Sequence, residues 1–260
     1  MSSPHRNRAG RSSAPDLKHP SGRTVHNEIL LRLPSTECSK LFSKLEFVNL
    51  PAPSVLNEAE ETIKFAFFIN DGLASILKVM SDGKSIEVGL CGKEGWIGIP
   101  LAMGFNSSPN RIIMQVGGSA FRLKAKDLMV ALQECPALAA SLQHFAQELA
   151  LQAEQVAACN RLHEVEERLA RWLLMSQDRL GGNKVPLTQN FLAYMLGTRR
   201  ASVTVAAGIL QKAGMITYVR GHVTIEDRAL LEDAACECYA VLMTQSKKWR
   251  QEAGRTKEKC

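Results

Sequence analysis

The chain has 260 residues, 45% of them hydrophobic and 22% charged, with a formal net charge of +6. That length suits two domains of ordinary size, and the composition excludes both a disordered and a fibrous chain. Mean hydropathy is −0.09, no run approaches the roughly 18 apolar residues of a membrane span, and the N-terminus lacks the apolar stretch of a secretory signal, so a cytoplasmic protein without a membrane partner is expected.

Residues 1–27 are rich in Ser, Pro and Arg and carry five bases against one acid, which predicts a disordered basic tail. Residues 28–135 predict a β-roll domain, because short apolar runs alternate there with turn residues. FAFFIN (Phe65 to Asn70) precedes Asp71-Gly72, read as a turn, and LASILKVM (Leu73 to Met80) follows. Ser81-Asp82-Gly83-Lys84 is a hairpin signal before SIEVGLC (Ser85 to Cys91), and RIIMQV and SAFRLKA come after a Gly, Asn, Ser and Pro stretch. Six or more strands at this spacing predict an antiparallel roll or barrel.

At Pro136 the period becomes helical. Leu138, Leu142, Phe145, Leu149, Gln152, Val156, Cys159 and His163 alternate at spacings of four and three, a heptad seam that predicts a dimerisation helix over 136–165. The largest apolar groups, Leu138, Leu142, Phe145, Leu149 and Val156, are the expected pair axis. One amphipathic helix lying on its own β-domain is the alternative, and the many alanines between the seam positions would let the helix pack on two faces at once. Residues 166–246 then predict a winged helix-turn-helix. EVEERLARWLLMSQDRL is an amphipathic helix ended by Gly181-Gly182, Thr188 can cap a short helix, and Gly197 turns the chain into a second helix reaching Lys212. MITYVRGHVTI alternates about Arg220-Gly221 as a wing would, and DRALLEDAACECYAVLM reads as a terminal helix. Residues 247–260, with six bases against two acids, predict a basic tail. The fold class is therefore α+β: an antiparallel β-roll, a long dimerisation helix and a C-terminal winged helix-turn-helix.

The stretch from Arg179 to Ile225 holds six bases and no carboxylate, the footprint of a surface that meets a polyanion or of a solvated basic face. In the second helix Val203, Ala206, Ala207 and Leu210 share one face, which leaves Arg200, Ala201, Thr204 and Val205 outward. An arginine one turn inside a helix N-terminus can bond a guanine edge bidentately, and Val205 suits a thymine methyl. Arg199, Ser202, Thr188 and Gln189 suit phosphate oxygens, and Arg220 and His222 at the wing tip suit the backbone beyond the groove. No Ser/His/Asp constellation, GxSxG or Walker motif is present. Glu164, Glu166 and Glu167 beside Arg168 and Arg171 read as intrahelical charge pairs, so no enzyme is expected.

Seven cysteines at irregular spacing exclude a disulfide framework. Cys159 and His163 lie four apart on one helix face, and Cys236 and Cys238 lie two apart near the C-terminus. Three thiols and an imidazole are a legitimate zinc set. Plain packing and a redox-sensitive thiol are the competing readings, and positions two apart on an unbroken helix point about 200° apart, so both cysteines reach one ion only if the helix breaks there.

The run LTQNFLAYMLGTRRASVTVAAGILQKAGMI (Leu187 to Ile216) resembles the DNA-binding motif of the Crp/Fnr family of bacterial transcription regulators, and the likeness extends roughly from Ser35 to Tyr239. It implies a sensor with a cyclic-nucleotide-binding-like fold, a homodimer on a pseudo-palindromic operator, and double-stranded DNA, a second copy and RNA polymerase as partners. By the resemblance Arg200 falls where the family keeps its guanine-reading arginine, whereas Ala201 and Val205 replace the family's following glutamate and second base-reading arginine. The sensor departs further from the family. Gly98 is followed by Ile99 and Pro100, which removes the carboxylate that would hold a ribose, and Arg111, near the phosphate position, is followed by Ile112. Arg111 therefore reads as an exposed strand-start residue, and a cyclic nucleotide is not expected. No cysteine precedes Cys38, so the oxygen-sensing branch's N-terminal iron–sulfur cluster is not expected, nor is any other cofactor. A cyclic-nucleotide-responsive regulator, and a small-molecule sensor or scaffold using its winged helix for protein contacts, are the alternative functions.

Overall fold

Two strands of fifteen residues each, Phe65–Val79 and Asn110–Lys124, run antiparallel through the N-terminal domain, and the other strands of its sheet pair with one or the other. The structure, a computed structural model, describes residues 17–257. In chain order the first domain comprises α1 (Glu28–Leu31), α2 (Ser35–Phe42), β1 (Glu46–Leu50), β2 (Ser54–Asn57), β3 (Phe65–Val79), β4 (Ser85–Cys91), β5 (Trp96–Ile97), α3 (Ile99–Ala102), β6 (Asn110–Lys124) and α4 (Ala125–Glu134). The sheet order is β1-β6-β3-β4, with β2 also on β6 and β5 also on β3. Side chains that are fully shielded from water, among them Phe68, Trp96, Phe121, Met114 and Leu123, fill the interior.

Asp71-Gly72 is not a turn. The chain bulges there and carries on along the same neighbour, with register shifts on either side of Asp71. Gly72 has φ +88°, and a Cβ on the facing Gly118 would lie 2.1 Å from the Asp71 carbonyl oxygen. Glycine on both strands thus lets the two backbones close up and bend together, so FAFFIN and LASILKVM, like RIIMQV and SAFRLKA, are halves of single strands.

The predicted tail begins the domain instead. Residues 1–16 lie outside the described residues, but Lys18 bridges Thr24, His19 is buried with Nε2 2.9 Å from the Phe42 carbonyl oxygen, and Asn27 caps α1 by accepting from the Leu30 N–H.

α5 (Pro136–Leu162) leads out of the roll to α6 (Val165–Leu180), whose start is a reciprocal capping box between Glu164 and Glu167. The second domain continues with β7 (Lys184–Pro186), α7 (Gln189–Met195), α8 (Arg200–Lys212), β8 (Ile216–Val219), β9 (His222–Ile225), α9 (Arg228–Ala234) and α10 (Cys238–Lys257). β7, β9 and β8 form the wing in that order. Two expectations change here. The terminal helix is broken at Ala235, which is extended (φ −79°, ψ 147°), so it becomes α9 and α10. And residues 247–257 are the second half of α10, not a tail: Arg250 pairs with Glu148 of α5 at 3.0 Å and with Glu28 of α1 at 3.4 Å.

The helix seam also has a different partner. Leu138, Leu142 and Phe145 are buried in the core of their own β-roll, Leu149 packs against it, and Gln152 accepts from the Leu90 N–H of β4. Val156 is buried too. The predicted pair axis is therefore spent inside the chain, because its large side chains are what the open side of the roll needs covered.

Candidate nucleic-acid interface

α7 and α8 sit on α6 through one apolar layer. Leu192, Met195 and Leu196 from α7 and its end, and Val203, Ala206, Ala207 and Leu210 from α8, are buried with Leu169, Leu173 and Leu174. The 3.6-residue period of those α8 positions forces the rest of the helix outward. Arg200, Ala201, Thr204 and Val205 are exposed, Val205 at 64%, and Ser202 is half-buried. Between the helices Gly197 takes φ +57°. Thr188 Oγ1 caps α7 by accepting from the Phe191 N–H at 3.2 Å. Thr204 Oγ1 donates to Gln189 Oε1 at 2.9 Å, which ties the first turn of α7 to α8. At the wing tip Arg220 and Gly221 have φ +47° and +79°, the two left-handed residues of a tight hairpin, and both Arg220 and His222 are exposed.

The start of α8 is electrostatically unusual. Helix N-termini favour acids, because the free N–H groups carry partial positive charge. Here Arg199 occupies the capping position without a side-chain cap, Arg200 follows, and the first turn contains no acid. The helix thus begins with two guanidinium groups added to its own positive end, an arrangement that an arriving anion relieves. Three further apolar residues of this domain are exposed: Tyr194 on α7, Ile209 one turn beyond Val205 on α8, and Val219 on the wing. Each was readable only as a break in an otherwise inward-facing apolar run.

Residues 167–234 match the Crp-like helix-turn-helix domain family. The chain carries a Crp-like helix-turn-helix domain. Solved structures extend the likeness over most of the chain: a protein of Eubacterium rectale assigned to the Crp/Fnr transcriptional regulators (14% identity, TM-score 0.62, 80% of this chain and 98% of that one), the c-di-GMP-responsive global regulator CLP of Xanthomonas campestris (13%, 0.62, 75% and 100%), and FixK2 of Bradyrhizobium japonicum (16%, 0.61, 74% and 98%). The fold is that of the Crp/Fnr regulators, with a cyclic-nucleotide-binding-like roll and the Crp-like domain. No curated protein matches the sequence. Among the described residues no helix is long and apolar enough to cross a membrane.

The Crp-like domain rests on the roll. Trp172 Nε1 of α6 donates to Glu87 Oε1 of β4 at 2.7 Å, and the Gly197 turn lies directly on Ile86 of β4. Burial pushes the Glu87 carboxyl up to about 7, against the pull of the Trp172 hydrogen bond and of Arg171 and Arg179. In the roll, Arg111 is paired with Glu58 at 3.2 Å, so its guanidinium already has a carboxylate partner.

The four residues of the Cys/His set do come together, at the junction between α5 and the Crp-like domain. Cys159 Sγ lies 3.4 Å from Cys236 Sγ, Cys238 Sγ lies 3.5 Å from His163 Nδ1, and the four potential ligand atoms are all within 4.8 Å of one another. The break at Ala235 removes the objection that two cysteines two positions apart diverge. The hydrogen bond from Cys236, aided by Arg171 and His163, brings the Cys159 thiol down to about 5 in spite of its burial.

Proposed function

We propose that the protein is a sequence-specific DNA-binding transcription regulator that works as a homodimer on a pseudo-palindromic operator. The observation that carries this reading is the start of α8: two arginines at a helix N-terminus without a compensating acid, on an exposed face of a Crp-like domain, inside a 47-residue stretch without carboxylates. Arg200 reads a guanine edge, Val205 lies against a thymine methyl, Arg199, Ser202, Thr188 and Gln189 hold phosphates, and Arg220 and His222 follow the backbone from the wing. Thr204, tied to Gln189, fixes the two helices in one register rather than reading a base. RNA polymerase is the further partner this role implies.

The pair axis lies on the other face of α5. Ala139, Gln143, Ala146, Ala150, Ala153 and Ala157 repeat at spacings of four and three, and all are exposed or half-buried. Leu138, Leu142, Phe145 and Leu149 face the roll, and His144, Gln147 and Glu148 border a groove shared with α10. The alanine stripe is left for a second copy, whose backbone small side chains allow to approach closely. A cyclic-nucleotide effector is not favoured, since Arg111 is engaged by Glu58.

Selection of bound duplexes from a random library, followed by affinity measurements across a salt series, tests the reading. Inverted half-sites about one helical turn apart and a steep fall of affinity with salt are expected. Binding that is indifferent to salt, or a selection that enriches no motif, would return the winged helix to the class of protein-contact modules.

A further inference from the structure

We propose that Cys159, His163, Cys236 and Cys238 bind a single zinc ion that latches the C-terminal end of α5 to the start of α10. Plain packing explains the cluster poorly. The three cysteines form a small buried group of their own, apart from the two aliphatic and aromatic cores. A tetrahedral zinc with metal–sulfur bonds of about 2.3 Å has sulfur–sulfur edges of about 3.8 Å. The separations of 3.4 and 3.5 Å, with all four atoms within 4.8 Å, are close to that figure. An iron–sulfur cluster needs its ligands spread over several irons, and atoms this close together favour one ion. Thiolate-rich, tetrahedral sets select zinc over oxygen-loving cations.

The surroundings are those of a metal site. His163 turns Nδ1 to the cluster while Nε2 lies 3.1 Å from the Glu237 carboxylate, the hydrogen bond that fixes the tautomer of a metal-binding histidine. Gln155 donates its amide N–H to Cys238 Sγ at 3.1 Å, a partner for a thiolate. Zinc with three thiolates and a neutral imidazole carries one net negative charge. Arg168 and Arg171 are buried beside it, 7% and 3% exposed, and among the described residues neither has a carboxylate ion pair and their Nε atoms find no hydrogen-bond acceptor. On binding, the thiols that are still protonated release their protons to solvent and each sulfur donates one lone pair to the metal, with no change of oxidation state. Because α5 belongs to the roll side and α10 follows the Crp-like domain, the ion would join the two domains at their junction.

The full chain, purified under reducing conditions, should hold one zinc per chain by elemental analysis, and replacement by Co²⁺ should give the intense visible bands of a tetrahedral site together with sulfur-to-cobalt charge transfer. Cys236→Ser should abolish both. Should that variant fail to fold, Glu237→Ala, at an exposed position, should weaken zinc by about 10- to 100-fold in competition with a chelator. A folded, reduced wild-type chain that takes up neither Zn²⁺ nor Co²⁺ overturns the proposal. So does iron with acid-labile sulfide in place of zinc, or zinc affinity that Glu237→Ala leaves unchanged.

Discussion

Arg199 and Arg200 are neighbours in the chain but stand in different places, one capping α8 and the other inside its first turn. Arg200→Ala should cost about 1–3 kcal/mol on the selected operator and little on random DNA, as a base contact does. Arg199→Ala should weaken both DNAs alike and flatten the salt dependence, as a phosphate contact does. Parallel titrations on the two DNAs check both, and equal losses for Arg200 would move it to the backbone. The outward direction of these side chains was legible in the sequence, since Val203, Ala206, Ala207 and Leu210 define the inner face whatever they pack against. Glu87 was not legible, because a strand glutamate ordinarily faces water and only the docking of Trp172 buries it. Its raised pKa has a definite sign. The folded chain keeps the Glu87 proton up to about pH 7 whereas the unfolded chain releases it near its ordinary value of 4.5, so stability present below that value is lost as pH rises towards 7. The loss is on the order of 3 kcal/mol. Glu87→Gln mimics the protonated acid, and its Tm advantage over wild type should widen by several degrees from pH 5 to pH 8. A constant difference in paired thermal melts would show that the carboxyl ionises without penalty.

At the scale of elements, periodicity identified α5, α6, α8 and the wing, because each has a dominant apolar face, while the Thr188 cap and the Gly197 turn marked α7. What periodicity leaves open is which surface that face meets. The seam of α5 satisfies the heptad rule for a coiled coil and equally the need of the roll for a lid, and the roll takes the larger side chains. Leu142→Ala should therefore destabilise the chain by about 2–5 kcal/mol and leave its oligomeric state alone. Ala150→Glu, on the alanine stripe, should instead bring two carboxylates into a close contact and leave monomers at micromolar concentration. Light scattering together with denaturant unfolding separates the two outcomes, and exchange of the effects would restore the seam as the pair axis. Turn chemistry misled in two places, in opposite ways. Asp71-Gly72 has the residues of a hairpin, but its neighbouring strand Asn110–Lys124 offers Gly117 and Gly118 opposite, and two facing glycine sites make a bulge. The break between α9 and α10 has neither Gly nor Pro to announce it.

The whole molecule is a closed circuit. The chain leaves the roll along α5, forms the Crp-like domain, and returns along α10 until Arg250 reaches Glu148 and Glu28. From composition those last residues read as a solvated basic tail. Three-dimensional acids, far away in sequence, are what turn a charge run into a strap. α10 is held at both ends by different chemistry: Leu242, in its first half, is buried in the core of the Crp-like domain, while Arg250 is a partly exposed charge with carboxylate partners on the roll side. Arg250→Ala removes only the second anchor. With solvent screening of a side chain that is 35% exposed, the cost should be about 1–2 kcal/mol, too little to unfold either core. Hydrogen exchange should accordingly quicken over the part of α10 that follows Leu242 and on the neighbouring turns of α5, while α7, α8 and the wing keep their protection. Acceleration throughout the Crp-like domain would mean that the strap supports the fold itself, and an unchanged pattern would mean that Arg250 restrains nothing. The predicted intermediate pattern follows from where the two anchors lie, because a helix released at one end frays from that end up to the first residue still buried.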